Sequence, residues 1–391
     1  MFAVFDRARK AASLLFALLA ALTLAACDTV PVGTGGPSID TSKPVPVALL
    51  VPQSSEQSGD PVLAQSLENA ARLAIADLQG VQVDLRVYDT GGNSAMAATV
   101  AQQAVSDGAR IILGPVYAES ANAVGNAVSN RNVNVLAFSN NPSIAGGNVF
   151  ILGPTFANTT SRLANYAAAQ GKSNILIVHS NDLAGNAGRD AFQLAAARTS
   201  ARVTGSISYE QSQQSVIESI TQIRESVRDS GADAIFMTAN TAGALPLLTQ
   251  LLPEAGVKQD TTQFIGLTRW DIPAQTLELP GVQGGWFALP DPVKASQFRS
   301  RYEASYGQAP HPIGGLAYDG IAAIGALVSA GKSDALTGAA LAQGAGFQGV
   351  GGIFRLLPDG TNQRGLAVAT IQDKQVVVID PAPSSFSGAG L

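Results

Sequence analysis

The chain has 391 residues, 46% of them hydrophobic and 14% charged, which is long and apolar enough for two lobes that each bury a core. A formal charge of −5 and an aromatic content of 6% exclude the basic face and the base-stacking platforms of a nucleic-acid binder. A single cysteine excludes an internal disulfide.

The amino terminus carries RARK at residues 7–10, then the apolar run AASLLFALLAAL at 11–22. That run has the length of a secretory signal and is short for a membrane span. Leu24-Ala25-Ala26-Cys27 follows it and resembles the bacterial lipobox. The resemblance implies removal of residues 1–26, lipidation of Cys27 and a periplasm-facing protein anchored in the inner or outer membrane; buried acyl CH₂ groups supply the hold. Asp28 implies retention in the inner membrane where the rule of enteric bacteria applies. Residues 27–44, rich in Pro, Gly, Ser and Thr, read as the lipidated cysteine plus a flexible tether, which reaches roughly 50 Å if extended.

From there short apolar runs alternate with Ala-rich helical stretches. Strands are expected at Val45–Val51, Val83–Tyr88, Arg110–Leu113 and Val133–Phe138, with helices at Glu68–Leu78, Ala95–Asp107 and Ser120–Asn130. The pattern restarts with strands at Asn174–Val178, Arg202–Tyr209, Ala234–Thr238 and Gln263–Leu267. Helices at Thr159–Gln170, Asp190–Thr199, Val216–Ser230 and Ala242–Leu252 separate them. A third segment holds strands near Gly285–Ala288, Ile353–Leu356 and Val368–Ile379 and helices near Ala295–Tyr306 and Gly315–Ala330. Strand–helix alternation of this kind makes a parallel sheet covered on both faces. The fold class is therefore α/β, two doubly wound Rossmann-like lobes joined by a multi-strand hinge. Lobe 1 is expected over 45–154 and 288–362, lobe 2 over 155–287 and 363–380, and a disordered tail over 381–391.

Apparent catalytic signals fail on context. Gly344-Ala-Gly346-Phe-Gln-Gly349 matches GxGxxG, but it follows a helix and leads into a strand, the reverse of a dinucleotide site. Gly331-Lys332-Ser333 and Gly171-Lys172-Ser173 lack the spaced glycine of a phosphate loop and read as helix ends. His179 and His311 are the two histidines, and no HExxH or GxSxG accompanies them. No catalytic residue, metal ligand or cofactor is assigned.

In doubly wound sheets ligands sit beyond the carboxyl ends of the strands. The loops there carry Ser54, Ser55, Tyr117, Ala118, Ser139, Asn141 and Ser143 in lobe 1. Lobe 2 supplies Asn181, Asp182, Asn240, Trp270 and Asp271. Hydroxyls, amides and carboxylates beside two aromatic surfaces compose a hydrogen-bonding cleft between lobes for a small polar ligand.

VALLVPQSS, DGARIILGP, ILIVHSNDLAG, SVRDSGADAIFMTAN, AYDGIAAI and GFQGVGGIFRLLPDG occur in an order similar to that of the type I periplasmic solute-binding proteins, near the leucine/isoleucine/valine-binding group. The resemblance spans residues 45–380 and implies two lobes that close over a small ligand (Venus-flytrap closure), with an ABC permease as partner. It implies branched-chain amino acids, amides or similar molecules as ligand. It also places Ala118 where that family binds the ligand carboxylate through Ser, and Ser143 at its Thr. Ala184 stands at the family's aromatic, and Asp271 is the acid nearest the position that takes the ammonium. Val47–Pro52, Val87–Thr90, Asp107–Pro115 and Asn134–Ala137 further resemble the penicillin-binding-protein activator lipoproteins, the LppC family. That resemblance implies a non-enzymatic adaptor that docks on a peptidoglycan synthase and stimulates it.

Overall fold

The computed structural model describes residues 35–386. The signal peptide, Cys27, the start of the tether and the end of the tail lie outside them. Five strands, β1 (Val45–Val51), β2 (Val83–Asp89), β3 (Ile111–Leu113), β4 (Asn134–Ala137) and β5 (Val149–Ile151), form an all-parallel sheet in the order β2-β1-β3-β4-β5. Val47, Leu49, Ile111 and Leu113 lie in one core layer and Ala48, Leu50, Ile112 and Val135 in another. Continuous apolar runs are what a strand covered on both faces requires. Helices α1 (Asp60–Asp77), α2 (Ser94–Ser106) and α3 (Ala118–Val128) connect the strands. The first begins two turns before Glu68, the expected start, because Gly59 turns with φ 93° and Pro61 occupies the first turn, where its missing N–H costs nothing.

Helix α4 (Phe156–Ala169) opens the second lobe, followed by β6 (Asn174–Ser180), α5 (Leu183–Ala196), β7 (Arg202–Tyr209), α6 (Gln213–Ser230), β8 (Ala234–Met237), α7 (Leu245–Glu254), β9 (Gln263–Gly266) and β10 (Trp286–Leu289). The chain then returns to lobe 1 through α8 (Pro292–Tyr306), α9 (Gly315–Ser329) and the short α10 (Gly338–Leu341). A meander of β11 (Phe347–Gly349), β12 (Gly352–Leu356) and β13 (Asn362–Arg364) leads back to lobe 2. There β14 (Ala367–Gln372) and β15 (Gln375–Asp380) complete a sheet of order β15-β14-β10-β9-β8-β6-β7. The run expected as one strand over Val368–Ile379 is thus a hairpin, turned by Asp373 and Lys374, both at positive φ. Neither is Gly or Asn, so the usual turn signal is missing.

Three crossings join the lobes, after β5, after β10 and after β13. Asp319 on α9 gathers them. Its Oδ2 accepts from Arg364 Nη1 at 2.9 Å and its Oδ1 from the Val350 N–H at 2.8 Å. Arg364 also donates to the Leu152 carbonyl at 2.5 Å, on the first crossing. Asp291, on the second, donates its N–H to Gly351 O at 2.8 Å. Asp319 is 1% exposed. Burial pushes its carboxyl up while the Arg364 guanidinium opposes that shift.

Two stretches expected to be free of the fold are docked on it. Residues 35–44 pack on lobe 1: Ile39 is buried in its core and donates its N–H to Ser333 O at 2.9 Å, and Pro37 is buried. The Gly35 carbonyl accepts from Gly338 N at 3.1 Å and Asn134 Nδ2 at 3.2 Å, and the Gly36 carbonyl from Asn132 Nδ2 at 2.8 Å. A Cβ on Gly36 would lie 2.5 Å from Thr337 Cα, so glycine permits the approach. At the other end Pro381 O accepts from Arg162 at 3.2 Å, and the Arg355 guanidinium lies 4.5 Å over the Phe386 ring. Apolar side chains among prolines and glycines found partners that composition does not reveal.

Candidate functional site

Strand order reverses between β6 and β8 in the second lobe, and a cavity of about 720 Å³ opens beyond their carboxyl ends. Ser180, Tyr209, Thr238, Leu267 and Thr268 form its floor. Its walls are the first turns of α5, α6 and α7 and the turns that precede them, with Asp182, Gln211, Gln213, Asn240, Leu247 and Gln250. The floor is fixed by the Ser180 N–H, which donates to Thr238 Oγ1 at 3.2 Å. Gly185 is obligatory in the wall, since a Cβ there would meet the Ser180 carbonyl at 2.1 Å.

No Lys or Arg lines the cavity, and Asp182 is its one charged residue. That carboxylate is committed. Its Oδ1 caps α5 by accepting the Gly185 N–H at 2.7 Å, and its Oδ2 accepts from Gln211. The Gly185 bond is the main cause that holds the carboxyl below the ordinary aspartate value. Burial, helped by the Asp182 charge, pushes the Tyr209 phenol up to about 12. The lining therefore offers hydroxyls, amides and apolar faces beside that one carboxylate.

Of the lobe 2 residues expected at the cleft, Asp182 and Asn240 line the cavity and the others do not. Trp270 is 0% exposed, inside the lobe 2 core beside Phe287 and enclosed by Gly266 and Gly285, either of which would clash with it if it carried a Cβ. The loop after β9 folds its indole inward, because the lobe has an apolar hole there of that size. Asp271 pairs with Arg269, whose Nε donates at 2.9 Å, and is withheld from a ligand ammonium. Asn181 donates to Glu210 at 2.7 Å, outside the cavity.

Ser54, Ser55, Tyr117, Ala118, Ser139, Asn141 and Ser143 sit beyond the carboxyl ends of the lobe 1 strands, and none lines the cavity. Asn141 Oδ1 and Ser139 Oγ accept within their own turn, from the N–H groups of Ser143 at 3.0 Å and Asn141 at 3.1 Å respectively. Ser55 likewise accepts from the Gln57 N–H at 3.2 Å. Tyr117 donates to Asp60 Oδ1 at 2.5 Å, and burial first, then that carboxylate, pushes its phenol up to about 12. Asp60 is 4% exposed and its Oδ2 has no protein partner. Ala118 begins α3 and brings no hydroxyl.

Tyr209, Gln211 and Gln213 were missed although the β7–α6 connection is also a carboxyl-end loop, so the rule that located the other loops would have found them. Gln250 and Leu247, one to two turns inside a helix, carry no such signal. His179 is buried with Nδ1 against the Ser180 carbonyl at 3.0 Å, and burial lowers its basicity. Among the described residues no group of three His, Cys, Asp or Glu is placed to hold a metal ion, and no helix is long and apolar enough to cross a membrane.

Two doubly wound lobes, three crossings and a cavity at a strand-order switch point define the type I periplasmic binding protein fold. The chain belongs to the periplasmic binding protein family, whose model matches residues 44–375. No curated protein matches it. Among solved structures it is similar to a putative branched-chain amino acid ABC transporter protein from Rhodospirillum rubrum, with TM-score 0.74 and 19% identity over 86% of this chain and 100% of that one. A branched-chain amino acid ABC transporter ligand-binding protein from Burkholderia xenovorans gives TM-score 0.66 at 18% identity, covering 88% and 97%. A Desulfitobacterium hafniense substrate-binding protein in complex with Leu gives 0.60 at 18%, covering 86% and 100%.

Proposed function

We propose that this chain is a non-enzymatic, lipid-anchored substrate-binding receptor of an ABC importer, and that its ligand is a small neutral polar molecule bearing amide or hydroxyl groups. The observation that carries this reading is the cavity lining, with no cation and with its one carboxylate committed to the α5 cap and Gln211. An amino acid zwitterion bound in the manner the family resemblance implies would leave its carboxylate at Ala118, which brings no hydroxyl, and its ammonium near Asp271, already held by Arg269. Burying either charge unpaired is costly. The fold neighbours, binding proteins of ABC transporters, support the transport role, and the lipobox at Cys27 supports the anchor.

A thermal-shift panel of amides, neutral sugars, amino acids and muropeptides tests this. A ligand at 100 times its Kd adds about 2.7 kcal/mol. The expected hit is a neutral compound, lost in Ala242→Trp, which fills the cavity from an exposed position. A branched-chain amino acid as the hit would overturn the ligand class, and a flat panel would overturn the receptor role. The segments similar to penicillin-binding-protein activators favour a second reading, an adaptor that stimulates a peptidoglycan synthase. Its expected result is enrichment of synthase on the mature protein, with a faster synthase rate on addition. Neither effect appearing would eliminate it.

A further inference from the structure

The segment that leads from the anchor is fixed to the protein almost at once. Residues 28–34 separate Cys27 from Gly35, the first described residue, which is docked on the fold. The eight Cα–Cα steps between them reach at most about 29 Å. The roughly 50 Å tether expected from composition is thereby nearly halved.

The place of docking has a direction. Gly35 is held by Asn134, the first residue of β4, and by Gly338 at the start of α10. Ile39 is held at Ser333, just beyond the end of α9. These contacts gather at the edge where the parallel strands of lobe 1 begin. The cleft loops leave the same strands at the opposite edge. Strand β1, seven residues long, alone separates the two edges by roughly 20 Å.

We infer that Gly35–Pro44 is a strap that stands lobe 1 on the lipid surface by the amino-terminal edge of its sheet and turns the cleft mouth away from the bilayer holding Cys27. The inference rests on the lipid anchor in the reading above. Fixed charge does not set this orientation: Lys43, Arg110, Arg131 and Lys332 near that edge are interspersed with Asp40, Asp107 and Asp334. The orientation is therefore insensitive to salt, unlike one imposed by a charged face.

Cys27 is the only native cysteine, and its thiol is consumed by the lipid, so one introduced cysteine takes a fluorophore cleanly. Lys332→Cys labels the edge near the strap, and Leu183→Cys labels the cleft rim, where the side chain is 89% exposed. The lipidated protein is placed in neutral phosphatidylcholine vesicles carrying a headgroup acceptor dye. The Lys332→Cys label is expected to be quenched several-fold more than the Leu183→Cys label, at low and high salt alike. Insertion of twenty Gly/Ser residues after Thr34 should bring the two together. Equal or reversed quenching with the anchor present overturns the orientation, as does an ordering that the insertion leaves unchanged. The mass of the amino-terminal peptide, read on the same samples, separates the cases: an unmodified Cys27 overturns the anchor and the orientation together.

Discussion

Replacing Asp319 by Ala should be among the most damaging single changes in this protein. Asp319 is 1% exposed and its partner Arg364 has 11% of its side chain exposed. Removing the carboxylate leaves a buried guanidinium without its anion and the Val350 N–H without its acceptor. Breaking a buried pair from one side costs about 3–5 kcal/mol. The two Leu152 contacts that Arg364 keeps, at 2.5 and 3.2 Å, set the expectation toward the lower end. Asp319→Leu with Arg364→Met removes both charges and should recover part of the loss, because two desolvation costs disappear with the attraction. Urea unfolding is followed by circular dichroism and by tryptophan fluorescence. Both tryptophans, Trp270 and Trp286, lie in lobe 2, so the second probe reports that lobe alone. Both probes should shift to lower urea in Asp319→Ala, since the pair ties the crossings of both lobes. An Asp319→Ala protein within about 1 kcal/mol of wild type, or a double variant less stable than the single one, would refute the clamp.

Trp270→Ala should cost about 3–5 kcal/mol in urea unfolding, as a fully buried indole in the lobe 2 core. Tyr117→Phe strips the one protein donor from buried Asp60 and should cost about 1–3 kcal/mol by the same assay. Asp182→Ala removes the α5 cap and should cost about 1 kcal/mol at neutral pH. Because folding lowers the Asp182 carboxyl below its ordinary value, its stabilisation is complete above about pH 4 and lost as pH falls through the lower folded value, so the two proteins should converge there. Alkaline difference spectra should show Tyr117 and Tyr209 ionising near pH 12, each step vanishing in its Phe variant.

The sheets were legible because buried parallel strands are written as unbroken apolar runs: the expected span Val45–Val51 coincides with β1, and Ala234–Thr238 matches β8 to within one residue. Three-residue strands such as Val149–Ile151 and Asn362–Arg364 are too short to carry a period, and only their neighbours define them. At the site, the rule that ligands gather beyond carboxyl ends led to Asp182 and Asn240, two of the residues that line the lobe 2 cavity. Loop membership does not fix which way a side chain turns, however. Trp270 turned into an apolar hole, Asp271 toward a neighbouring Arg269, and Asn181 toward Glu210. Those choices depend on partners supplied by tertiary packing, and no local pattern encodes them.

The return of the chain through both lobes has a consequence for biogenesis. The lobe 2 sheet lacks its β10 neighbour until Ala367–Gln372 has been synthesised, and the crossings are not tied to α9 until Arg364 arrives. Neither half can finish early and wait for the other. A chain wired this way leaves both the lobe 2 sheet and the clamp on the crossings incomplete until residues 364–372 are available, so the two lobes reach their final form together.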